Sequence, residues 1–183
     1  MSVFLITGCN RGLGLGLTKE VLRAGHSVIG TCRNPNGERD LWELEDDYPE
    51  KLKVLEMDLS SEQSIKEGFG SLPSDQHIDI LINNAGILED FNSGIESLDF
   101  DVLLRSFKIN TVGSLLVVKH ALPFLKKAWQ QKIFLSGRIS QKQSPDRRRV
   151  PSKPTIVLPI VLWCKNHRVF LRHVLLVPQI NLW

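Results

Sequence analysis

Short apolar runs alternate with longer amphipathic segments along the chain up to about residue 136. The apolar runs predict strands at 2–7, 27–31, 52–57, 78–82 and 132–136. The segments between them predict helices at 13–24, 38–47, from Ser60 or Ser61 to about Leu72, 96–106 and 109–128. Because the strand runs are mostly continuously apolar, both of their faces should be covered. The pattern therefore predicts an α/β fold with a doubly wound parallel sheet.

The last part of the chain departs from this pattern. Residues 1–136 hold 14 Lys and Arg against 19 Asp and Glu, whereas residues 137–183 hold nine against one. We therefore expect two parts: a domain at 1–136 whose sheet is truncated after the fifth strand, and an atypical basic tail at 137–183. The tail is either a diverged segment that packs on the open sheet or stays disordered, or an out-of-frame product. A fifth strand left bare would make the protein prone to aggregation.

A glycine-rich turn follows the first predicted strand. The segment LITGCNRGLGLGL spaces its glycines as Gly8-x-x-x-Gly12-x-Gly14 and places Arg11 between them. A turn of this kind points backbone N–H groups and a helix N-terminus at one place, which suits a pyrophosphate group. The spacing matches the common dinucleotide fingerprint G-x-G-x-x-G poorly, so the turn alone leaves open a loop without a ligand.

Further motifs appear in order along the chain. Asn83-Asn84-Ala85-Gly86 follows the fourth predicted strand, Asp58 follows the third in MDLS, and Asn110 lies in KINTVG. With the glycine turn, these motifs resemble the short-chain dehydrogenase/reductase family over residues 1–136, and within it the carbonyl reductases of the Sniffer and C-factor type. The resemblance implies a Rossmann-type domain that binds a nicotinamide coenzyme and reduces aldehydes or ketones. The coenzyme-binding candidates are Gly8, Asn10, Arg11, Gly12, Leu13, Gly14, Arg33, Asp58, Asn84, Ala85 and Gly86.

The charge at the end of the second predicted strand bears on the coenzyme. Enzymes of this fold that use NAD place an acid there for the ribose 2′-hydroxyl, whereas an arginine accommodates the 2′-phosphate of NADP. The stretch Thr31-Cys32-Arg33-Asn34 has no acid, and Arg11 lies in the glycine turn. Two arginines would bind a dianion through charge-assisted hydrogen bonds, so we expect NADP rather than NAD.

The catalytic motif that the family resemblance implies is incomplete. The family uses a serine, a tyrosine and, four residues after it, a lysine, but this chain has one tyrosine, Tyr48, and no Tyr-x-x-x-Lys. The tyrosine position is matched by Arg149, whose guanidinium stays charged and cannot donate the proton. The remaining catalytic candidates are Asn110, Ser136 and Lys153. We therefore expect impaired carbonyl reduction, the alternative being a non-catalytic nucleotide-binding or frame-shifted variant.

The sequence disfavours several other functions. It has no apolar run of about 18 residues, no metal-ligand spacing among its cysteines, and no nucleic-acid fold motif beside the basic run at 147–149. Three cysteines that cannot all pair favour a reducing, cytoplasmic location. The resemblance implies a small carbonyl substrate and a homodimer through the helix predicted at 109–128.

Overall fold

Parallel strands form the centre of the sheet in a computed structural model of the chain. The structure describes residues 1–87, 96 and 99–125, and the backbone of three further strands at 132–135, 160–165 and 168–173. The parallel strands are β1 (Val3–Thr7), β2 (Ser27–Cys32), β3 (Leu52–Glu56), β4 (Ile80–Asn83) and β5 (Lys132–Leu135). They are arranged β3-β2-β1-β4-β5 and every neighbouring pair is parallel. The predicted sheet is confirmed, with strand ends shifted by at most two residues.

The described helices are α1 (Gly12–Arg23), α2 (Arg39–Asp47), α3 (Glu62–Gly70), α4 (Phe100–Phe107) and α5 (Ser114–Leu125). The N-terminus of α3 is capped as predicted, because the Ser61 hydroxyl accepts a hydrogen bond from the Ser64 backbone N–H at 3.2 Å. A π-helical turn at Lys108–Gly113 joins α4 to α5.

The π-helical turn corrects the predicted α-helix at 109–128. Residues 109–113 belong to the wider turn, α5 begins at Ser114, and residues 126–128 lie outside the described chain. The turn ends where the chain passes very close to the loop after β3. A Cβ atom on Gly113 would overlap the Leu59 carbonyl oxygen. This contact depends on tertiary structure, so helical periodicity alone could not indicate it.

Helices cover both faces of the parallel sheet. Successive residues of β1 alternate between the faces: Val3 and Leu5 belong to a cluster with side chains of α3 and α5, whereas Ile6 belongs to a second cluster with side chains of α1 and α2. Leu5 and Ile6 are both fully buried. This arrangement is the doubly wound architecture that the sequence predicts.

The sheet continues past β5 with two antiparallel strands. Strand β6 (Ile160–Lys165) pairs with β5 at Phe134 and Ile133, and β7 (Arg168–His173) pairs along the whole of β6. The parallel part of the sheet therefore ends at β5, as expected, and β6 occupies the edge that would otherwise be bare. The domain boundary after residue 136 stays a prediction, because residues 136–159 lie outside the described chain.

Candidate functional site

The order of the strands creates a topological switch point between β1 and β4. From β1 the chain steps outward through β2 and β3, and it then crosses to the other side of β1 to form β4 and β5. The chain therefore leaves β1 and β4 towards opposite sides of the sheet, and the strand order reverses between these two strands. In doubly wound sheets, ligands bind at this switch point.

The glycine turn lies at the switch point and has the backbone that only glycine adopts readily. Gly8 has φ +68° and Gly12 has φ +56°. The turn is fixed to β2, because the backbone N–H groups of Gly8 and Cys9 both donate to the Thr31 carbonyl oxygen, at 2.7 Å and 3.1 Å. The chain then enters α1, with Arg11 as the residue before its first turn.

The loop after β4 is hydrogen-bonded to the glycine turn through Thr7 and Asn84. The Thr7 hydroxyl accepts hydrogen bonds from the backbone N–H groups of Asn84 and Ala85, both at 3.0 Å. The Asn84 side-chain amide donates to the carbonyl oxygens of Thr7, at 3.0 Å, and Gly8, at 3.2 Å. Two motifs separated by about 70 residues in sequence therefore form one hydrogen-bonded unit.

Close packing inside this unit leaves no space for side chains. A Cβ atom on Gly14 would overlap the Gly8 carbonyl oxygen, and one on Gly8 would lie 3.0 Å from the Ala85 Cα. No side chain caps the N-terminus of α1, so its first backbone N–H groups are available to an external acceptor. A backbone that can be approached closely, beside an uncapped helix N-terminus, fits the pyrophosphate of a dinucleotide.

The basic candidates lie at the same edge of the sheet. Arg33 directly follows β2 and Arg11 precedes α1, and both side chains are exposed, as are Gly12 and Leu13. The Asn10 side-chain amide donates to the Glu38 carboxylate at 2.7 Å. The loop after β2 therefore places the Glu38 carboxylate beside the glycine turn. The stretch Thr31-Cys32-Arg33-Asn34, on which the coenzyme prediction rests, contains no acid and did not indicate this contact.

Asp58 is half-buried at the end of β3 and orders the turn that follows. Its carboxylate accepts a hydrogen bond from the Ser60 backbone N–H at 2.8 Å, and its own N–H donates to the Ser64 hydroxyl at 2.9 Å. These contacts hold the loop in place at the carboxyl edge of the sheet.

Asn110 lies in the π-helical turn and holds the chain after Gly86. Its side-chain oxygen accepts from the Ile87 N–H at 2.9 Å, and its amide donates to the Ile87 carbonyl oxygen at 2.8 Å. A Cβ atom on Gly86 would lie 3.1 Å from the Asn110 oxygen. Asn110 thus joins α4 and α5 to the loop after β4.

The remaining catalytic candidates, Ser136 and Lys153, lie outside the described residues, as does Arg149. Tyr48 ends α2 and packs, partly buried, against the apolar cluster under α1 and α2. That Tyr48 does not serve as the proton donor stays a prediction.

Three features of this edge were not identified as site features from sequence. Thr7 is a fully buried acceptor, and its position directly before Gly8 at the end of a strand is a signal that could have found it. The contact of Glu38 with Asn10 and the contact between Cys9 and Cys32 depend on loop geometry, so no sequence signal indicated them.

The two cysteines shift each other's pKa values. The Cys9 thiol hydrogen-bonds Cys32, which lowers the pKa of Cys32; the same contact, with burial, raises the pKa of Cys9.

The switch point, the glycine turn and the uncapped helix N-terminus are arranged as in α/β proteins that bind dinucleotides. The family model described as short chain dehydrogenase matches residues 2–145, and the chain belongs to this family, whose members bind a nicotinamide coenzyme. The resemblance that the sequence motifs indicated is thereby confirmed.

Individual relatives agree with this assignment. An uncharacterized oxidoreductase of Schizosaccharomyces pombe is 34% identical over 138 residues, covering 74% of this chain and 54% of its own length. The 3-oxoacyl-(acyl-carrier-protein) reductase FabG of Aquifex aeolicus is 34% identical over 141 residues, covering 74% of this chain and 55% of its own. The chain thus spans about half the length of the curated relatives it matches.

A solved structure shares the fold as well as the sequence pattern. The NADPH-bound carbonyl reductase from chicken fatty liver superposes with a TM-score of 0.64 at 32% identity, covering 70% of this chain and 49% of that one. A short-chain dehydrogenase/reductase of Burkholderia multivorans with bound NADP gives a TM-score of 0.63 at 28% identity, covering 67% of this chain and 53% of that one.

Within the described part of the chain, none of the helices has the length and apolar character needed to cross a bilayer.

Proposed function

We propose that this chain is an NADP(H)-binding oxidoreductase of the carbonyl reductase type, acting on aldehydes or ketones with impaired turnover. One observation carries the proposal: the glycine turn and the loop after β4 are joined at the switch point through Thr7 and Asn84. The unit has no space for side chains at Gly8 and Gly14, and it exposes an uncapped helix N-terminus. Both features suit a bound ligand.

The coenzyme-binding residues have separate roles in this proposal. Backbone N–H groups from Gly12 to Gly14 would hold the pyrophosphate, and Leu13 would shield it. Asp58 would face the adenine ring, and Asn84, Ala85 and Gly86 would line the ribose on the nicotinamide side. The bound coenzyme supplies a hydride to a carbonyl carbon, and the chain supplies orientation and a proton.

The preference for NADP rests on Arg11 and Arg33. Both are exposed at the carboxyl edge of the sheet, one on each of the two loops that flank the expected position of the ribose 2′-phosphate. Guanidinium groups bind phosphate through paired, charge-assisted hydrogen bonds. Glu38 favours the opposite choice, because a carboxylate repels the 2′-phosphate and accepts from a 2′-hydroxyl; here it is bonded to Asn10. Two positive charges against one negative charge favour NADP.

The impairment follows from the missing proton donor. A phenol, with a pKa near 10, acts as an acid near neutral pH when a cation stands beside it, and this chain contains no Tyr-x-x-x-Lys. Asn110, Ser136 and Lys153 remain as the groups that would hold water, polarise the carbonyl and carry charge. The alternative is a non-catalytic nucleotide-binding protein, which the same missing donor favours.

Self-association and location complete the proposal. Exposed apolar side chains lie on the segment proposed for a homodimer, Val112 and Leu115, and continue along α4. Association through this surface would remove them from water. Free thiols at Cys9 and Cys32 favour a reducing compartment such as the cytoplasm.

Coenzyme titrations test the proposal. We expect NADPH to bind the reduced protein, with enhanced nicotinamide fluorescence, and to bind more tightly than NADH. Arg33→Ala should weaken NADPH about tenfold, corresponding to about 1.4 kcal/mol, and leave NADH nearly unchanged. Arg23→Ala is the matched control, because Arg23 ends α1 on the side away from the turn and pairs with Glu20.

The outcomes separate the two functions. Binding with slow oxidation of NADPH by a generic aldehyde or quinone supports the impaired reductase, and binding without turnover supports the non-catalytic protein. Affinity for neither coenzyme would refute both, and tighter binding of NADH would assign the ribose site to Glu38.

A further inference from the structure

Two cysteines from different strands meet beneath the glycine turn. Cys9 belongs to that turn and Cys32 ends β2, and both are buried, with 0% and 4% of their surface exposed. They lie in the same apolar cluster, and the interaction between their thiols lowers the pKa of Cys32 and raises that of Cys9. Cys164, the third cysteine, belongs to β6.

The sequence makes room for this contact at Gly30. A Cβ atom at Gly30 would lie 2.6 Å from the Cys9 sulfur and 3.2 Å from the Cys9 Cβ. Gly30 and Cys32 are two residues apart on β2, so their side-chain directions share one face of the sheet. The Cys9 thiol therefore occupies the space that a side chain in the middle of β2 would fill, beside Cys32.

The backbone around the pair is already fixed in a way that suits a cross-link. The Cys9 N–H donates to the Thr31 carbonyl oxygen at 3.1 Å, so the residue preceding Cys32 is bonded directly to Cys9. A disulfide here would join two segments, the turn and the end of β2, that are already hydrogen-bonded to each other.

We propose that Cys9 and Cys32 form a reversible disulfide when the protein meets a hydroperoxide, and that this bond weakens coenzyme binding. The second half rests on the proposed function, because Cys9 lies inside the turn assigned to the pyrophosphate and Cys32 directly precedes Arg33. A disulfide holds its sulfurs about 2 Å apart, closer than hydrogen-bonded thiols. The bond would thus pull the turn and the end of β2 together.

In the two-electron oxidation, Cys32 attacks the peroxide and Cys9 then closes the disulfide. The Cys32 thiolate attacks one peroxide oxygen, the O–O bond breaks, and the leaving hydroxide takes a proton to become water (or an alcohol from an organic hydroperoxide). The Cys9 sulfur then attacks the Cys32 sulfenic acid, the S–O bond breaks, and a second water leaves with the Cys9 proton. Cys32 is the attacking group because it is the more exposed of the two thiols, at 4% against 0%, and the contact with Cys9 lowers its pKa.

The contact that makes Cys32 the nucleophile also allows Cys9 to complete the bond. Cys9 has a raised pKa while it donates its hydrogen bond to Cys32 and feels the Cys32 charge. Oxidation of Cys32 to the neutral sulfenic acid removes both effects. Cys9 then becomes easier to deprotonate beside an electrophilic sulfur.

The test uses the full chain with Cys164→Ser, so that a single intramolecular disulfide can form. After hydrogen peroxide treatment, peptide mass spectrometry without reductant should show the Cys9 and Cys32 peptides joined with the loss of two hydrogen atoms. The Kd for NADPH should rise about tenfold, and dithiothreitol should restore it. The further variants Cys9→Ser and Cys32→Ser, each on the Cys164→Ser chain, should keep their NADPH affinity after the same treatment.

Each result has a distinct meaning. Peroxide that oxidises either cysteine to a sulfinic acid without joining the two peptides overturns the proposal, as does a joined pair with an unchanged Kd. Reduced protein that does not bind NADPH refutes the proposed function instead, while the peptide linkage still decides whether the disulfide forms. Because the linkage is measured in the Cys164→Ser protein, it does not depend on the folding of the serine variants at positions 9 and 32.

Discussion

At the scale of single residues, α1 begins with three glycines at alternate positions, and only part of this pattern is structural necessity. Gly12 needs its positive φ, and Gly14 needs the absence of a side chain because the Gly8 carbonyl oxygen occupies that space. Gly16 needs neither: a Cβ atom there would meet nothing within 4 Å. Within this motif, Gly14 permits no Cβ atom, whereas Gly16 tolerates one.

This difference gives a prediction with an internal control. Gly14→Ala should lower the free energy of unfolding by about 3 kcal/mol, because its Cβ meets backbone that cannot shift without separating α1 from the turn. Gly16→Ala should raise it by about 0.5–1 kcal/mol, since alanine restricts the unfolded chain and favours the helix. Urea denaturation followed by circular dichroism measures both. Equal effects of the two substitutions would contradict the packing that we describe around Gly8.

At the scale of elements, helices α3 and α5 are joined by a small charged cluster as well as by apolar contacts. The Lys119 ammonium lies 2.7 Å and the His120 ring 3.2 Å from the same oxygen of Glu62. The hydrogen bond from Lys119, followed by that from His120, lowers the pKa of Glu62. His120 also stacks on Phe69 of α3, so the polar contact lies beside the apolar one.

The lowered pKa fixes the sign of a pH effect. A carboxyl group whose pKa is lower in the folded state adds stability above its unfolded pKa of about 4.3, and loses it as pH falls through the folded value. Lys119→Met should therefore lower Tm by at most about 3 °C at pH 7, and the deficit should shrink between about pH 5 and 3.

The matched control is Lys66→Met, which removes the same charge from the exposed surface of α3. Scanning calorimetry at low ionic strength should show a smaller effect at pH 7. A deficit for Lys119→Met that stays constant down to pH 3 would mean that the contact with Glu62 does not contribute to stability.

At the scale of the whole molecule, four of the nine large apolar side chains that are exposed among the described residues lie on α4. Phe100, Leu103, Leu104 and Phe107 recur at the spacing of one helix face, and each is 47–65% exposed. The proposed homodimer would cover this face together with Val112 and Leu115.

Substitution at Leu104 tests that surface. Leu104→Glu should shift the protein towards monomer, because a buried carboxylate without a partner strongly disfavours association. Trp42→Glu serves as the control: Trp42 is a 49% exposed apolar residue on α2, and its substitution should leave the association unchanged. Sedimentation velocity over a concentration series measures the difference. A monomeric parent protein, or equal shifts for the two variants, would refute the dimer through α4 and α5.

How far sequence reasoning reached depends on the range of the interactions involved. The strands and most helix ends were predictable because apolar runs and a capping serine such as Ser61 act over a few residues. The joining of Asn84 to Thr7 could be anticipated because carboxyl ends of parallel strands meet at one edge. The contact of Asn10 with Glu38, the meeting of Cys9 and Cys32, and the π-helical turn could not, since each depends on how loops approach in space.

The sequence by itself determined the alternation of strand and helix, the glycine positions and the absence of a Tyr-x-x-x-Lys pair, since these follow from local composition and spacing. Only the tertiary structure decided which loops face each other, which thiols touch, and that β6 lies beside β5. The physical reason is that strand order and side-chain neighbours are set by packing between distant segments. No single segment carries that information.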